Sequence, residues 1–595
     1  MDSIMDKKLI LITLGLIPVF FLPTTQNFYD TNKWMLMSAG ALCILIYWAI
    51  ALFRVKAPIR AAFPRSALGF GALAAASVIG LVTVSTNKVE ALLSPLGPVT
   101  FLALTIFVVA GISMTKKEKM HLTWALYAAT GLLGIIALYQ MLGMGKLMFP
   151  QVPFLADPLW TPTGSTATTI AVFFITLSLL VPDTIASFKK HQEHGAMALF
   201  AISLIIIAVG AAVTLIQFIP KMTTVLPFDV GMVAASQVFK NPVTVFTGLG
   251  AENFITAFTL VRPASFNTSP RAGIMFGTNS DFFLHILTVY GLIGLGAGIW
   301  LAISLFQGRS KGWPFITACL CVFSFLLIPP SIAFLALVAI ILILVQTDSP
   351  PRPIPAARWI RLPAGILLLL AAAASFFFLL RAYTAEVYFF RSLLAAQKND
   401  GTNTYNQQAR AIRANTFLSR YHVAYSQTSV SLANSIAGST TKTDTDSKLV
   451  GQLLQQSIKE AKTAVAANPR SAAAWENLGL TYQNIIPVAT EAAGWALTAY
   501  ESAVKLDPSN PALFVNIGSI FVGGKQYDNA IGLFQRAIQL NPSYANAYYN
   551  LANAFKLKGD TVAAAATLTD TLKLVPAESS DYAKIQNELD ALQQK

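Results

Sequence analysis

Apolar stretches of the length needed to cross a hydrocarbon core, about 20 residues, recur along the first 383 residues of this chain and then stop. They fall at roughly 8–23, 34–53, 66–84, 97–114, 121–143, 163–182, 196–218, 281–306, 314–330, 331–347 and 362–383. These are eleven expected membrane helices; the pair beside Pro329-Pro330 has the form of a tight hairpin. Over 595 residues the composition is 55% hydrophobic and 12% charged, with the apolar excess before Tyr383. A chain so divided is expected to be all-α, with a polytopic membrane bundle over 1–383 and a soluble part over 384–595.

Charge in the short loops orients such a bundle. One alternate set of segments carries Lys7, Lys8, Arg54, Lys56, Arg60, Arg65, Lys116, Lys117, Lys119, Lys189, Lys190, Arg309, Lys311, Arg352, Arg358 and Arg361. The opposite short loops carry Lys33, Lys88 and Lys146. The N-terminus is therefore expected in the cytoplasm. The long loop at about 219–280, and everything beyond the last helix, are expected outside. The net charge of +14 thus reflects membrane orientation, and no nucleic-acid partner is expected. The run Leu9–Leu22 follows two lysines like a signal peptide. Pro23-Thr-Thr-Gln stands in place of a small-residue cleavage site, so a retained first helix is expected. Cys43, Cys319 and Cys321 all lie in apolar runs, which leaves no disulfide framework or CxxC metal site. No cofactor or metal is expected.

The long loop holds the polar chemistry. It contains Lys221, Lys240, the turn Gly248-Leu-Gly-Ala-Glu-Asn-Phe254, the segment Arg262-Pro-Ala-Ser-Phe-Asn267, and Arg271. Gly248-Leu-Gly250 lacks the third glycine and the strand–helix context of a dinucleotide fingerprint. It reads as a glycine-permitted turn. Arginine gives planar, two-pronged recognition of phosphate, so Arg262 and Arg271, with Lys221, are candidate ligands of a diphosphate; ordinary solvated loop charges explain them as well. The chain re-enters the membrane through Asn279-Ser-Asp-Phe-Phe-Leu-His285. Asp281 and His285 are four residues apart and share a helix face. Ionisable groups at membrane depth are functional candidates, here as a general base and its orienting partner. A helix cap and a packing histidine are the bland alternatives. Tyr290-Gly291 with Gly294 reads as close helix packing.

Beyond Tyr383, Pro469, Pro508, Pro542 and Pro576 are spaced by 39, 34 and 34 residues. Between them recur Trp475 with Asn477-Leu-Gly479, Phe514 with Asn516-Ile-Gly518, and Tyr548 with Asn550-Leu-Ala552. This period and pattern resemble the tetratricopeptide repeat, clearest over 469–595, with five extra residues near Ile485–Ala489. Such repeats stack into a solenoid whose groove takes a protein partner or which acts as a spacer.

The membrane part resembles the O-antigen ligase and O-antigen polymerase superfamily, in the branch fused to tetratricopeptide repeats. The likeness rests on the loop after the seventh helix, the Gly-x-Gly turn, Arg262-Pro-x-x-Phe-Asn267, the polar re-entry ending in Tyr290-Gly-Leu-Ile-Gly294, and Phe20 to Lys33. The resemblance implies a metal-independent glycosyltransferase in a bacterial cytoplasmic membrane. It would move a polyprenyl-diphosphate-linked glycan to a lipid or protein acceptor hydroxyl, with Arg262, Arg271 and Asp281 or His285 in the site. The family's His-Asn pair falls on Ser280 and Asp281, and Ile274-Met-Phe276 stands where relatives carry an arginine. A protein O-glycosyltransferase is a close variant. A catalytically inactive membrane-anchored scaffold for envelope glycan assembly is the alternative from another class. A transporter has no pair of matching interrupted helices to support it.

Overall fold

The computed structural model describes residues 4–54, 59–61, 65–189, 194–219, 225–307, 311–345, 352–354, 358–438 and 443–593. Lys56, Lys190, Lys221 and Arg309 lie outside them. The chain forms two compact units, one of Met1–Phe254 with Thr278–Phe390, the other of Ile255–Gly277 with Arg391–Lys595. The sequence division at Tyr383 therefore differs in two ways: the junction is seven residues later, and 23 residues of the long loop belong with the repeats.

The first unit is helical: α1 Ile4–Leu16, α2 Asp30–Arg54, α3 Leu68–Thr83, α4 Lys88–Leu93, α5 Pro98–Ala110, α6 Lys116–Met141, α7 Met144–Met148, α8 Pro153–Ala156, α9 Thr166–Lys189 and α10 His194–Phe218. The loop contributes α11 Phe228–Ser236, α12 Pro242–Thr247 and α13 Phe254–Val261, the last passing into the second unit. Then come α14 Phe282–Ser304, α15 Trp313–Leu327, α16 Ile332–Val345 and α17 Arg358–Gln397. A two-stranded antiparallel ribbon pairs β1 Ile59–Ala61 with β2 Arg352–Ile354, in the register Arg60 to Pro353.

Helices stand at all eleven expected places, but among the described residues eight are long and apolar enough to cross a membrane. The exceptions are α1, α15 and α16, with 13, 15 and 14 residues. Pro18 stops α1 early, because proline bars its predecessor from helical geometry. The pair α15 and α16 is cut apart by Pro329-Pro330. Every residue from Ile332 to Ile343 in α16 is buried, and the helix packs on α1, α2, α5, α6 and α9. A helix apolar all round is a core helix, and its length answers to its neighbours. At the other extreme α17 runs 40 residues. Nothing near Tyr383 breaks it, and it ends before Asn399, which takes the left-handed conformation at φ 56°.

The second unit continues with α18 Gly401–Ala414, α19 Ser419–Ala437, α20 Asp444–Ala467, α21 Ala472–Gln483, α22 Ala492–Leu506, α23 Pro511–Gly523, α24 Tyr527–Leu540, α25 Ala545–Lys558, α26 Thr561–Leu572 and α27 Ser580–Gln593. The helices from α19 to α26 pair in sequence and stack. The starts are capped as their sequences require: Ser471 accepts the Ala474 N–H, and Asn510 accepts the Ala512 N–H ahead of Pro511. The five extra residues lie in the α21–α22 turn, between Gln483 and Ala492. Successive first helices (α19, α21, α23, α25) pack on one another, whereas successive second helices barely meet. The first helices therefore line the inner face of the curve. Within a pair, Gly479 lies against Tyr500 and Gly518 against Phe534, at distances that leave no room for a Cβ.

Replacing Gly518 by valine should cost about 1–3 kcal/mol by overpacking against Phe534. Gly532→Ala, at a helical position with open space around it, should be neutral or stabilising by about 1 kcal/mol. Thermal unfolding of the detergent-solubilised chain compares the two.

Candidate functional site

Within the second unit, the loop segment Ile255–Gly277 lies along the corners where one repeat hands over to the next. Thr256 donates to the Arg470 carbonyl (2.7 Å) and Thr259 to the Leu506 carbonyl (2.9 Å). Asn267 donates to the carbonyls of Ser509 and Leu540 (2.9 and 3.0 Å). Leu506 and Leu540 end α22 and α24, whose last carbonyls have no intrahelical donor. The strap supplies it. Phe258 is fully buried and packs with Phe266 and Phe276.

Arg262 is the centre of this strap. Its guanidinium donates to both oxygens of Asp507, at 3.1 and 3.3 Å. The two side chains are 7% and 2% exposed. The Ser509 hydroxyl donates to the Arg262 carbonyl at 2.6 Å. The expectation that Arg262 holds a diphosphate meets an arginine already committed to a buried carboxylate. Asp507 is missing from the sequence reading because Asp-Pro there reads as a repeat corner. Burial raises the Asp507 carboxyl above its ordinary range while Arg262 pulls it down; burial, with Asp507 nearby, also raises Glu476. Arg271 is half-buried in the same unit. Its guanidinium lies 5.9 Å from the Phe266 ring centre, and its Nε has no hydrogen-bond partner.

Asp281 and His285 belong to the first unit. Asp281 caps α14, accepting the Leu284 N–H at 2.9 Å, and is buried. His285 Nδ1 accepts the backbone N–H of Asn279 at 3.3 Å, and Phe254 lies against its ring. That bond leaves the proton of a neutral imidazole on Nε2 and occupies the nitrogen that would act as base. The Asp281 carboxylate is turned to the helix N-terminus and the His285 ring to Asn279, the bonds of a cap and a packed histidine. The hub is Asn279, which donates to the Gly231 carbonyl and the Thr288 hydroxyl and accepts the Ser280 N–H. Its only sequence signal was a polar triplet at the head of an apolar helix.

The glycine motifs fit together by backbone. Gly291 interrupts α14 at φ 63°, ψ −158°, so Tyr290-Gly291 is a break as well as a packing position. The Leu249 N–H then donates to the Thr288 carbonyl and the Gly250 N–H to the Val289 carbonyl, at 3.0 and 3.1 Å. A Cβ on Gly248 would lie 2.2–2.3 Å from the backbone of Val289 and Tyr290. The loop thus supplies donors to carbonyls at the break that the helix itself leaves unpaired. Beside it Glu252 accepts from the Ser85 hydroxyl and the Thr86 N–H, and the Tyr290 hydroxyl donates to the Leu96 carbonyl. At the head of α9, Thr161, Thr163 and Thr169 bond to one another, and the buried Lys33 donates to the Pro162 carbonyl at 2.6 Å.

A family model described as a TPR repeat matches residues 518–559. No curated protein matches the chain. Solved structures similar to it include a thermophilic TPR protein of Thermus thermophilus, at 15% identity over 36% of this chain and 100% of that one, TM-score 0.29. The pilF protein of Pseudomonas aeruginosa matches at 15% identity over 36% and 86%, TM-score 0.28. MamA of Desulfovibrio magneticus matches at 15% identity over 33% and 98%, TM-score 0.27. The chain carries C-terminal tetratricopeptide repeats.

Arg262→Ala strands Asp507 in a buried site and should destabilise the repeat unit by about 3–5 kcal/mol. The double variant Arg262→Leu/Asp507→Leu, which removes both charges, should recover most of that loss in denaturant unfolding of the solubilised chain.

Proposed function

We propose that this chain is a membrane-anchored tetratricopeptide protein of the bacterial cell envelope, docking a protein partner on its repeats, with the ligase-type frame acting as anchor. The burial of Arg262 against Asp507 carries this reading, because the arginine best suited to a glycan diphosphate is spent on joining loop and repeats. The cap formed by Asp281 and the occupied nitrogen of His285 support it. Tetratricopeptide grooves commonly bind protein.

The repeats and the long loop lie on the extracytoplasmic face in this reading. Strap and repeats pack as one unit, so Gly277 and Arg391 share a face, and the chain between them crosses an even number of times. The helices α14 and α17 make two, and the shorter pair α15 and α16 goes in and comes back, which keeps the number even. The Ser331 hydroxyl, at the α15–α16 turn, bonds to Thr168 at the head of α9 (3.1 Å). That head shares the loop's face, because α9 and α10 make two crossings. The hairpin thus reaches that face, and the lysine- and arginine-rich loops fall on the cytoplasmic one.

Glycan transfer from a polyprenyl diphosphate is the second reading. It is favoured by the buried polar cluster of Asn279, Asp281, His285 and Thr288 and by the unpartnered Nε of Arg271. In the sequence reading Arg271 is a diphosphate ligand and Asp281 a general base; the two belong to different units.

Purified protein given a polyprenyl-diphosphate glycan and an acceptor, without added metal, is expected to leave the donor intact. Donor consumption that Arg271→Ala and Asp281→Ala both abolish would establish the second reading instead. In a cysteine-free background, a cysteine at the exposed Gln535 should react with an impermeant maleimide in whole spheroplasts. One at the exposed Lys117 should react only after lysis; the reverse pattern would invert the topology.

A further inference from the structure

The loop helices α11 and α12, in the first unit, carry apolar side chains on both of their faces. Val230, Ala234, Ala235 and Val238 are buried, and both helices pack on α14. The other face is open. Phe228, Met232, Val233, Phe239, Val243 and Phe246 each expose half or more of their surface. Between Leu226 and Gly250 the charged residues are Asp229 and Lys240. So many large apolar side chains exposed over so short a stretch mark an interaction surface.

What covers this face follows from its place. The Thr247 carbonyl, at the end of α12, lies against Gly80 of α3, and the backbone of Phe246 and Gly248 lies against Gly291 of α14. Gly80 is three residues from the end of α3 at Thr83, and Tyr290, which it also touches, is eight residues from the head of α14 at Phe282. At about 1.5 Å per residue, α12 ends about 5 Å below the first of these ends and about 12 Å below the second. Both α3 and α14 are long and apolar enough to cross a membrane. Their exposed residues near this level are Ile79 and Val82 on α3 and Leu292 and Ile293 on α14. The open face of α12 therefore continues the apolar surface of two expected spans. One medium has to cover all three, and where α3 and α14 stand in a bilayer that medium is lipid.

The depth is that of the boundary between headgroups and acyl chains, where amphipathic segments sit about 5–10 Å in. The polar residues agree with it. Asp229, Ser236, Lys240 and Asn241 are exposed beside the apolar ones. A segment wholly inside hydrocarbon would strip water from the two charges, which is costly. One wholly in water would leave the apolar row uncovered. At the boundary both are accommodated, with the long stem of Lys240 carrying its ammonium out to the headgroups.

We propose that α11 and α12 form an interfacial collar, whose open face is seated among the acyl chains of the leaflet on the loop's side. Its partner is the lipid surface itself. This rests on the membrane-anchored reading given above and adds a second kind of membrane contact to the spanning helices.

The test uses the full chain, freed of its three cysteines and reconstituted in phosphatidylcholine vesicles. Single cysteines are introduced by Met232→Cys, Val243→Cys and Phe246→Cys on the open face, and each is labelled with bimane. Two more serve as references: Ile205→Cys, 62% exposed near the middle of α10, and Gln535→Cys, exposed on α24. All five positions are exposed, so the labels leave the packing intact. The vesicle lipid carries a nitroxide either high or low on its acyl chain. The three collar labels should be quenched about twofold or more, and more by the high nitroxide than by the low one. Ile205→Cys should show the opposite order, and Gln535→Cys should respond to neither. Collar labels that respond to aqueous iodide instead, with Ile205→Cys still quenched by lipid, would sink the collar and leave the anchor standing. Collar labels reached by neither quencher would mean that a protein, a partner or a second copy, covers the face in place of lipid. Stronger quenching by the low nitroxide would replace the boundary position by a deeply inserted hairpin. If Ile205→Cys escapes both nitroxides, the membrane reading falls and takes the collar with it.

Discussion

A single buried ion pair decides what this chain's long loop is. Removing a guanidinium and a carboxylate from water costs several kcal/mol each, recovered only when the two meet in good geometry. Arg262 and Asp507 meet at 3.1 Å, beside the end of α22, where the helix dipole already favours a cation. The threonine and asparagine contacts on either side then fall on successive repeat corners. A loop that would otherwise stand free becomes part of the solenoid. Breaking the pair leaves an uncompensated charge, so the arrangement is difficult to open locally.

The first unit solves a different problem, which is to keep the backbone groups of its apolar helices satisfied. Its central helix α16 does so by being a plain apolar helix surrounded by others. Helix α14 gives up regularity at Gly291, and the Gly248-Leu-Gly250 turn delivers N–H donors to the carbonyls beside the break. Only glycine fits where the two backbones come this close. A motif that looks like a nucleotide-binding fingerprint is here a backbone patch. The polar residues at the head of α14 serve the same end: Asn279 ties the re-entry to α11, and Asp281 caps the helix.

These two solutions bear on function together. Arg262, Asp281 and His285, which a glycan ligase would use for charge and proton transfer, make bonds that hold the fold.

The helical architecture, the repeats and the places of the apolar helices were legible in the sequence because they rest on local rules. Hydrophobic run length, a 34-residue period and proline corners each act over a few residues. The early stop of α1 at Pro18 obeys the same kind of rule. The fate of the candidate site did not, because Arg262 and Asp507 are 245 residues apart. No local pattern marks Asp507 as a partner, and an arginine in a polar loop reads alike whether it awaits a phosphate or a carboxylate. The same holds for His285, whose nitrogen is occupied by a backbone N–H six residues away. Sequence by itself determined which segments are helices and which of them form the repeats. The tertiary structure decided which polar groups are left over, because burial and partnership depend on the packing of segments far apart in the chain.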